Sequence, residues 1–103
     1  MLLLSAFSLN MLSVFPAQPL FEEISKDEAK KALAEGFTSA VGHADTAAVF
    51  SSQLGTKVEA NRTTVSLSEG DVAVIGQYQG PRLEEGTTNL PEGAKIIWLR
   101  VTI

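Results

Sequence analysis

The sequence predicts a small α/β domain, a mixed β-sheet flanked by helices, built as a single unit over residues 1–103. Three observations carry that expectation. Lys95 to Ile103 alternates as a strand, with Ile97, Leu99, Val101 and Ile103 on one face and Ile96, Trp98, Arg100 and Thr102 on the other. Ser25-Lys26-Asp27-Glu28 is a capping box, the clearest helix start in the chain. Gly36 and Gly55 each follow an apolar helical period, as helix-stopping glycines do. Hydrophobic residues make up 45% and charged residues 19%, a globular balance, and 103 residues can bury a core without metal or disulfide staples. The same length leaves little for a deep private cleft, so a substrate site is expected to draw on a second copy of the chain.

In chain order, Leu2 to Phe7 reads as a buried first strand. Ser8-Leu9-Asn10-Met11-Leu12 follows as a tight exit turn or short helix ending before Pro16. Pro19 to Ile24 is extended, and its prolines put it at a sheet edge. The Ser25 helix buries Ala29, Ala32 and Leu33 and keeps Lys30, Lys31 and Glu35 in water. Phe37 to Val41 is a short strand, Gly42-His43 a turn, and Asp45 or Thr46 the cap of a second helix carrying Ala47, Phe50 and Leu54. Thr63 to Leu67 alternates as a strand, Ser68-Glu69-Gly70-Asp71 turns, and Val72 to Gln79 returns as its hairpin partner. The loop Gly80-Pro81-Arg82-Leu83-Glu84-Glu85-Gly86 then precedes the last strand. That strand is apolar on both faces and is expected at the centre of the sheet or at an interface.

Charge and composition remove several classes of function. A net charge of -4 argues against coating long nucleic acid by bulk electrostatics. With no cysteine and one histidine the chain has no disulfide, no thiol nucleophile and no ready metal cluster. Met1-Leu2-Leu3-Leu4 resembles a secretory apolar core, but no basic residue precedes Lys26 and Asn10 interrupts the run, so secretion is not expected. No stretch approaches the ~20 apolar residues of a membrane span, so neither a membrane partner nor a membrane location is expected.

His43 is the one side chain whose ordinary pKa suits proton transfer near neutrality. It sits where a strand gives way to a helix, beside free amides that favour a phosphate. A structural histidine is the plain alternative. Arg82 has the fork to hold a phosphate, and Glu85 the acceptor to orient a ribose hydroxyl, against the alternative of solvated loop charges. Arg62 either contacts ligand or decorates a strand start, and Ser8 with Asn10 either contact ligand or cap a turn.

Ala6-Phe7-Ser8-Leu9-Asn10-Met11-Leu12, Ser39-Ala40-Val41-Gly42-His43-Ala44-Asp45-Thr46, Leu54-Gly55 with Asn61-Arg62, Gly70-Asp71-Val72-Ala73 and Arg82-Leu83-Glu84-Glu85-Gly86 stand in one order along the chain. In these stretches the sequence resembles the viral anti-CRISPR ring nuclease family, which has host-encoded homologues. The resemblance implies a homodimeric, cofactor-free and metal-independent phosphodiesterase. Its substrate would be cyclic tetra-adenylate, the second messenger of type III CRISPR defence, and its location the cytoplasm. It further implies His43 as general acid, Glu85 as catalytic support, and Ser8, Asn10, Arg62 and Arg82 as substrate-binding residues. A family glutamine matches Gln77 or, because Gly80-Pro81 alters the spacing, Gln79. Gln77 is taken as the ligand residue.

The chemistry implied is attack of a ribose 2′-hydroxyl on its own phosphodiester, with His43 protonating the departing 5′-oxygen. A two-fold dimer on a tetranucleotide ring would place two His43 side chains at opposite phosphodiesters and release two linear di-adenylates. Paired Arg62 and Arg82 are expected to make the dimer groove locally basic. The alternative, from another class, is a module that sequesters a cyclic nucleotide or contacts a partner protein without cleavage.

Overall fold

A computed structural model describes residues 1–103. Five strands form one mixed sheet: β1 (Leu2–Leu4), β2 (Leu20–Ile24), β3 (Thr38–Ser39), β4 (Val72–Gln79) and β5 (Lys95–Thr102), in the order β2-β5-β4-β1-β3. β1 runs parallel to both β3 and β4, and β5 runs antiparallel to β4 and β2. Two helices, α1 (Lys26–Leu33) and α2 (Ala44–Leu54), complete the α/β domain expected from the sequence. Neither helix is long and apolar enough to cross a membrane.

The two faces of the sheet are covered differently. On one, Leu3, Val74 and Trp98 pack against Ala29 and Leu33 of α1 and Ala47, Phe50 and Leu54 of α2. On the other, Leu4, Ala73, Ile75 and Val101 are covered by Leu12, Val65 and Leu67, which belong to no helix. Thus the helices lie on one face only. β5, with Trp98 turned to the helices and Val101 to the loops, is apolar on both sides as its alternation requires. At its edge Glu22 of β2 lies opposite Arg100 of β5, and their side chains meet at 3.3 Å.

The seat of α2 is set by Gly76. A Cβ there would come within 2.6 Å of both Phe50 Cζ and Trp98 Cζ3, so only a glycine lets the two rings close over β4. They do so with centroids 5.1 Å apart and planes tilted by 57°.

Several expectations are corrected. Val72–Gln79 does not pair with Thr63–Leu67: both edges of β4 are taken, by β1 and by β5, and the hairpin is β4–β5. The 63–67 alternation still has a physical reading, because an extended segment with Val65 and Leu67 inward buries those two side chains without a ladder. A single parallel bridge joins Leu67 to Leu12, with the Leu67 N–H donating to Met11 O at 2.7 Å. The first strand ends at Leu4 rather than Phe7, and the Phe37–Val41 strand is reduced to Thr38–Ser39 plus a bridge from Val41 to Ala60. The cap of α2 is neither Asp45 nor Thr46 but His43.

Candidate functional site at the start of helix α2

β1, β3 and β4 are parallel, so their carboxyl ends lie at one end of the sheet, where ligands of open α/β sheets collect. β3 delivers the chain to Gly42-His43 there, and α2 begins. His43 adopts an extended conformation (φ -121°, ψ 132°), and its carbonyl accepts the first helical bond, from the Ala47 N–H at 3.0 Å. Its side chain makes no capping bond and is exposed. The N–H groups of Ala44, Asp45 and Thr46 have no acceptor within the chain and face outward with the positive end of the helix dipole.

A second element reaches this point from the outer side of β3. The Ser39 hydroxyl donates to Glu59 O at 2.6 Å and accepts from the Val41 N–H at 3.2 Å. The Asn61 backbone N–H donates to Val41 O at 2.7 Å, and its side-chain amide donates to Ser39 O at 2.7 Å. This lacing holds the 59–62 segment along the edge strand and lays Arg62 over Gly42, with Nε 3.8 Å from where a Gly42 Cβ would stand. Arg62 is thereby next to the residue that precedes His43.

The loop after β4 closes the site from the other side. Arg82, Leu83, Glu84 and Glu85 line an open concavity of about 640 Å³ whose remaining wall is Asp45, two residues into the site helix. Asp45 Oδ1 accepts the Gly86 N–H at 3.2 Å. The ion pairs of the chain are Lys57–Glu59 and Arg100–Glu22, so neither Arg62 nor Arg82 is engaged by a carboxylate. Within one chain the concavity nevertheless holds three carboxylates to one guanidinium, so the basic character expected there is not supplied by Arg82 alone.

The remaining sequence candidates do not line that concavity. The Ser8 hydroxyl caps a short 3-10 turn at Leu9–Met11 by accepting from the Asn10 N–H at 3.3 Å, and the Asn10 side chain is exposed. Gln77 opens on the loop-covered face, in a groove with Ser5, Ala6 and Phe7, and Gln79 pairs with Lys95 at the end of the ladder. None of Ser8, Asn10 and Gln77 lines the Asp45 concavity. The structure therefore joins His43 to Arg62 and Asp45 to Arg82 and Glu85, and leaves a second group at the exit of β1. Two contributors were missed from sequence. Asn61 carried a signal in its position beside Arg62. Asp45 reads as a first-turn acid, and its partner is 41 residues away.

Comparison with known proteins identifies the family of the chain. A search among curated proteins gave no match. Among solved structures, B116 of Sulfolobus turreted icosahedral virus (STIV) superposes with a TM-score of 0.82 at 29% identity, over 99% of this chain and 97% of that one. Residues 1–95 match the family model described as STIV B116-like. The chain is a member of the STIV B116-like family.

Proposed function

We propose that the chain is a metal-independent ring nuclease that opens cyclic tetra-adenylate to linear di-adenylate, and so switches off type III CRISPR signalling in the cytoplasm. The observation that carries this reading is the uncapped start of α2. Outward amides and His43 stand there with Arg62 laid over Gly42, and the concavity walled by Asp45 adds Arg82; neither arginine is paired with a carboxylate, a combination suited to a phosphodiester. The ordered sequence stretches that resemble ring nucleases supply the substrate class.

In the mechanism, the ribose 2′-oxygen forms a bond to phosphorus as the bond from phosphorus to the 5′-oxygen breaks. His43 delivers its proton to the leaving 5′-oxygen, and the 2′-proton passes to solvent or to Glu85. The products are a 2′,3′-cyclic phosphate and a free 5′-hydroxyl at each cut. Arg62, Arg82 and the α2 amides stabilise the charge that builds on the phosphoryl oxygens.

The enzyme acts as a homodimer. Ser8, Asn10 and Gln77 stand outside the Asp45 concavity, and five large apolar side chains between residues 9 and 21 are exposed: Leu9, Val14, Phe15, Leu20 and Phe21. Such a stretch supports an isologous contact that brings the β1-exit group of one chain toward the ligand of both.

The test is incubation of purified protein with cyclic tri-, tetra- and hexa-adenylate in excess chelator, followed by chromatography of the products. Conversion of the tetramer to di-adenylate is expected. His43→Ala should retain binding and cleave about 100-fold more slowly, the usual worth of a general acid. Binding without turnover by the wild type would replace the enzyme with a sequestering module. Turnover only on adding metal would overturn the metal-free scheme.

A further inference from the structure

The loop from Gly80 to Ala94 joins β4 to β5, and its shape is fixed in three places. At its base, a Cβ on Gly80 would stand 2.6 Å from the Ala94 Cβ, so the two ends of the loop touch, and the Tyr78 hydroxyl donates to Pro81 O at 2.6 Å. In its middle, Glu84 O accepts from both the Thr87 N–H at 3.0 Å and the Thr87 hydroxyl at 2.6 Å, making a turn whose arc contains Glu85. Along α2 it is strapped twice, by Asp45 accepting from the Gly86 N–H and by the Ser52 hydroxyl donating to Thr88 O. Asp45, Val49 and Ser52 are spaced i, i+4 and i+7, which is one stripe of the helix. Val49, between the two straps, is fully buried yet belongs to neither face of the sheet core. Two hydrogen bonds to one stripe of α2, a little under two turns apart, lay the loop along the helix.

We propose that Asp45 is the positioning residue of the site: by holding Gly86 to the first turn of α2, it fixes Arg82 and Glu85 relative to His43. This rests on the ring-nuclease reading above. Asp45 does not touch the substrate phosphate, since another carboxylate against a polyanion would oppose binding. Its negative charge is spent on a backbone amide of the loop that carries Arg82. Ser52 is the second strap, farther from the chemistry and weaker in its effect.

A competing explanation is that Asp45 only complements the helix dipole, as acids in a first turn do. The two differ in what the amide variant does. Asp45→Asn keeps an oxygen for the Gly86 N–H but loses the charge, whereas Asp45→Ala loses both.

The experiment compares wild type, Asp45→Ala, Asp45→Asn and Ser52→Ala. Its readouts are single-turnover cleavage of cyclic tetra-adenylate, thermal melting, and hydrogen exchange of the Gly86 amide by NMR in the free protein. Asp45→Ala should expose the Gly86 amide to about tenfold faster exchange, the worth of one lost hydrogen bond. It should also slow cleavage about tenfold or more through misplacement of the loop. Asp45→Asn should recover most of both losses, and Ser52→Ala should show a smaller change in the same direction. Unchanged cleavage or unchanged Gly86 exchange in Asp45→Ala overturns the positioning role, as does an Asp45→Asn variant as slow as Asp45→Ala. If the wild type cleaves no ring, the parent reading falls and the catalytic role of Asp45 with it. An active wild type with an equally active Asp45→Ala removes Asp45 alone.

Discussion

Two helices rest on the same face of one sheet, and they begin in opposite ways. At α1 the Ser25 hydroxyl accepts from the Glu28 N–H at 3.0 Å, and the Glu28 carboxylate accepts from the Ser25 N–H at 3.0 Å, so the chain satisfies its own first turn. At α2 the cap residue is His43, whose side chain makes no such bond, and the first-turn amides are open. A helix start closed by local side chains stabilises the fold and has nothing left to offer a ligand. An open one gives up about 1 kcal/mol of capping and keeps an anion site. The difference between the two starts separates a helix whose first turn is closed by its own side chains from one whose first turn is left open.

The largest test asks what positions α2, given that its own first turn does not. Gly76→Ala drives a methyl into Phe50 and Trp98, and the rings have no free direction in a face already filled by both helices. A loss of about 3 kcal/mol is expected, at the upper end of overpacking costs. For a domain this size the loss appears as a fall in Tm of roughly 15 °C. A Tm within 2–3 °C of wild type would show, on the scale of about 4–8 °C per kcal/mol, that α2 is not seated on β4 through this contact.

Exchanging the characters of the two starts is a reciprocal test of smaller size. His43→Ser supplies a hydroxyl where α2 lacks one and should stabilise the protein by about 1 kcal/mol while slowing ring cleavage about 100-fold. Ser25→Ala should cost about 1 kcal/mol, near 5 °C in Tm, and leave cleavage unchanged. If both substitutions destabilise equally, His43 is holding the helix and the contrast between the two starts collapses.

How much of this was legible in the sequence follows the same division. The α1 start is local, four consecutive residues whose partners are each other, and it was read without error. β5 was legible because a period of two identifies its faces whatever its neighbours are. What failed depended on contacts between distant residues. Thr63–Leu67 has strand alternation, but β4 had already been claimed on both sides by β1 and β5, which no local pattern records. Asp45 looked like a cap because acids favour first turns, and its actual partner lies in a loop beyond β4. His43, Arg62, Arg82 and Glu85 are candidates by residue type and position, each beside a plainer structural alternative, and the resemblance gives them their roles. Their division into a group at α2, separate from Ser8, Asn10 and Gln77, appears only once the strands are ordered.

The smallest expected effect concerns acid. The Glu28 carboxyl is held below its ordinary value, first by the Ser25 backbone N–H and then by the Ser25 side chain, with minor help from Arg100 and Lys31 against slight desolvation. Because the folded value is the lower one, the ionised box stabilises the fold fully above the ordinary glutamate value, about 4.3. That contribution is lost as pH falls through the depressed folded value. Glu28→Gln removes the titration but keeps an acceptor for the Ser25 N–H. Melting curves of the two proteins should therefore differ most above the ordinary glutamate value and converge as the pH falls through the depressed folded value, where the wild-type carboxyl becomes neutral. The carboxylate is exposed, which keeps the effect small. Its leading cause is a hydrogen bond rather than a distant charge, so added salt should change the gap little. A gap that is constant across this range would mean that the charge of Glu28 contributes nothing to the box. A gap that vanishes in salt would assign it to Arg100 and Lys31 instead. α2, with Thr46 where α1 has Glu28, has no carboxylate at that position, so the reciprocal capping box belongs to α1 alone.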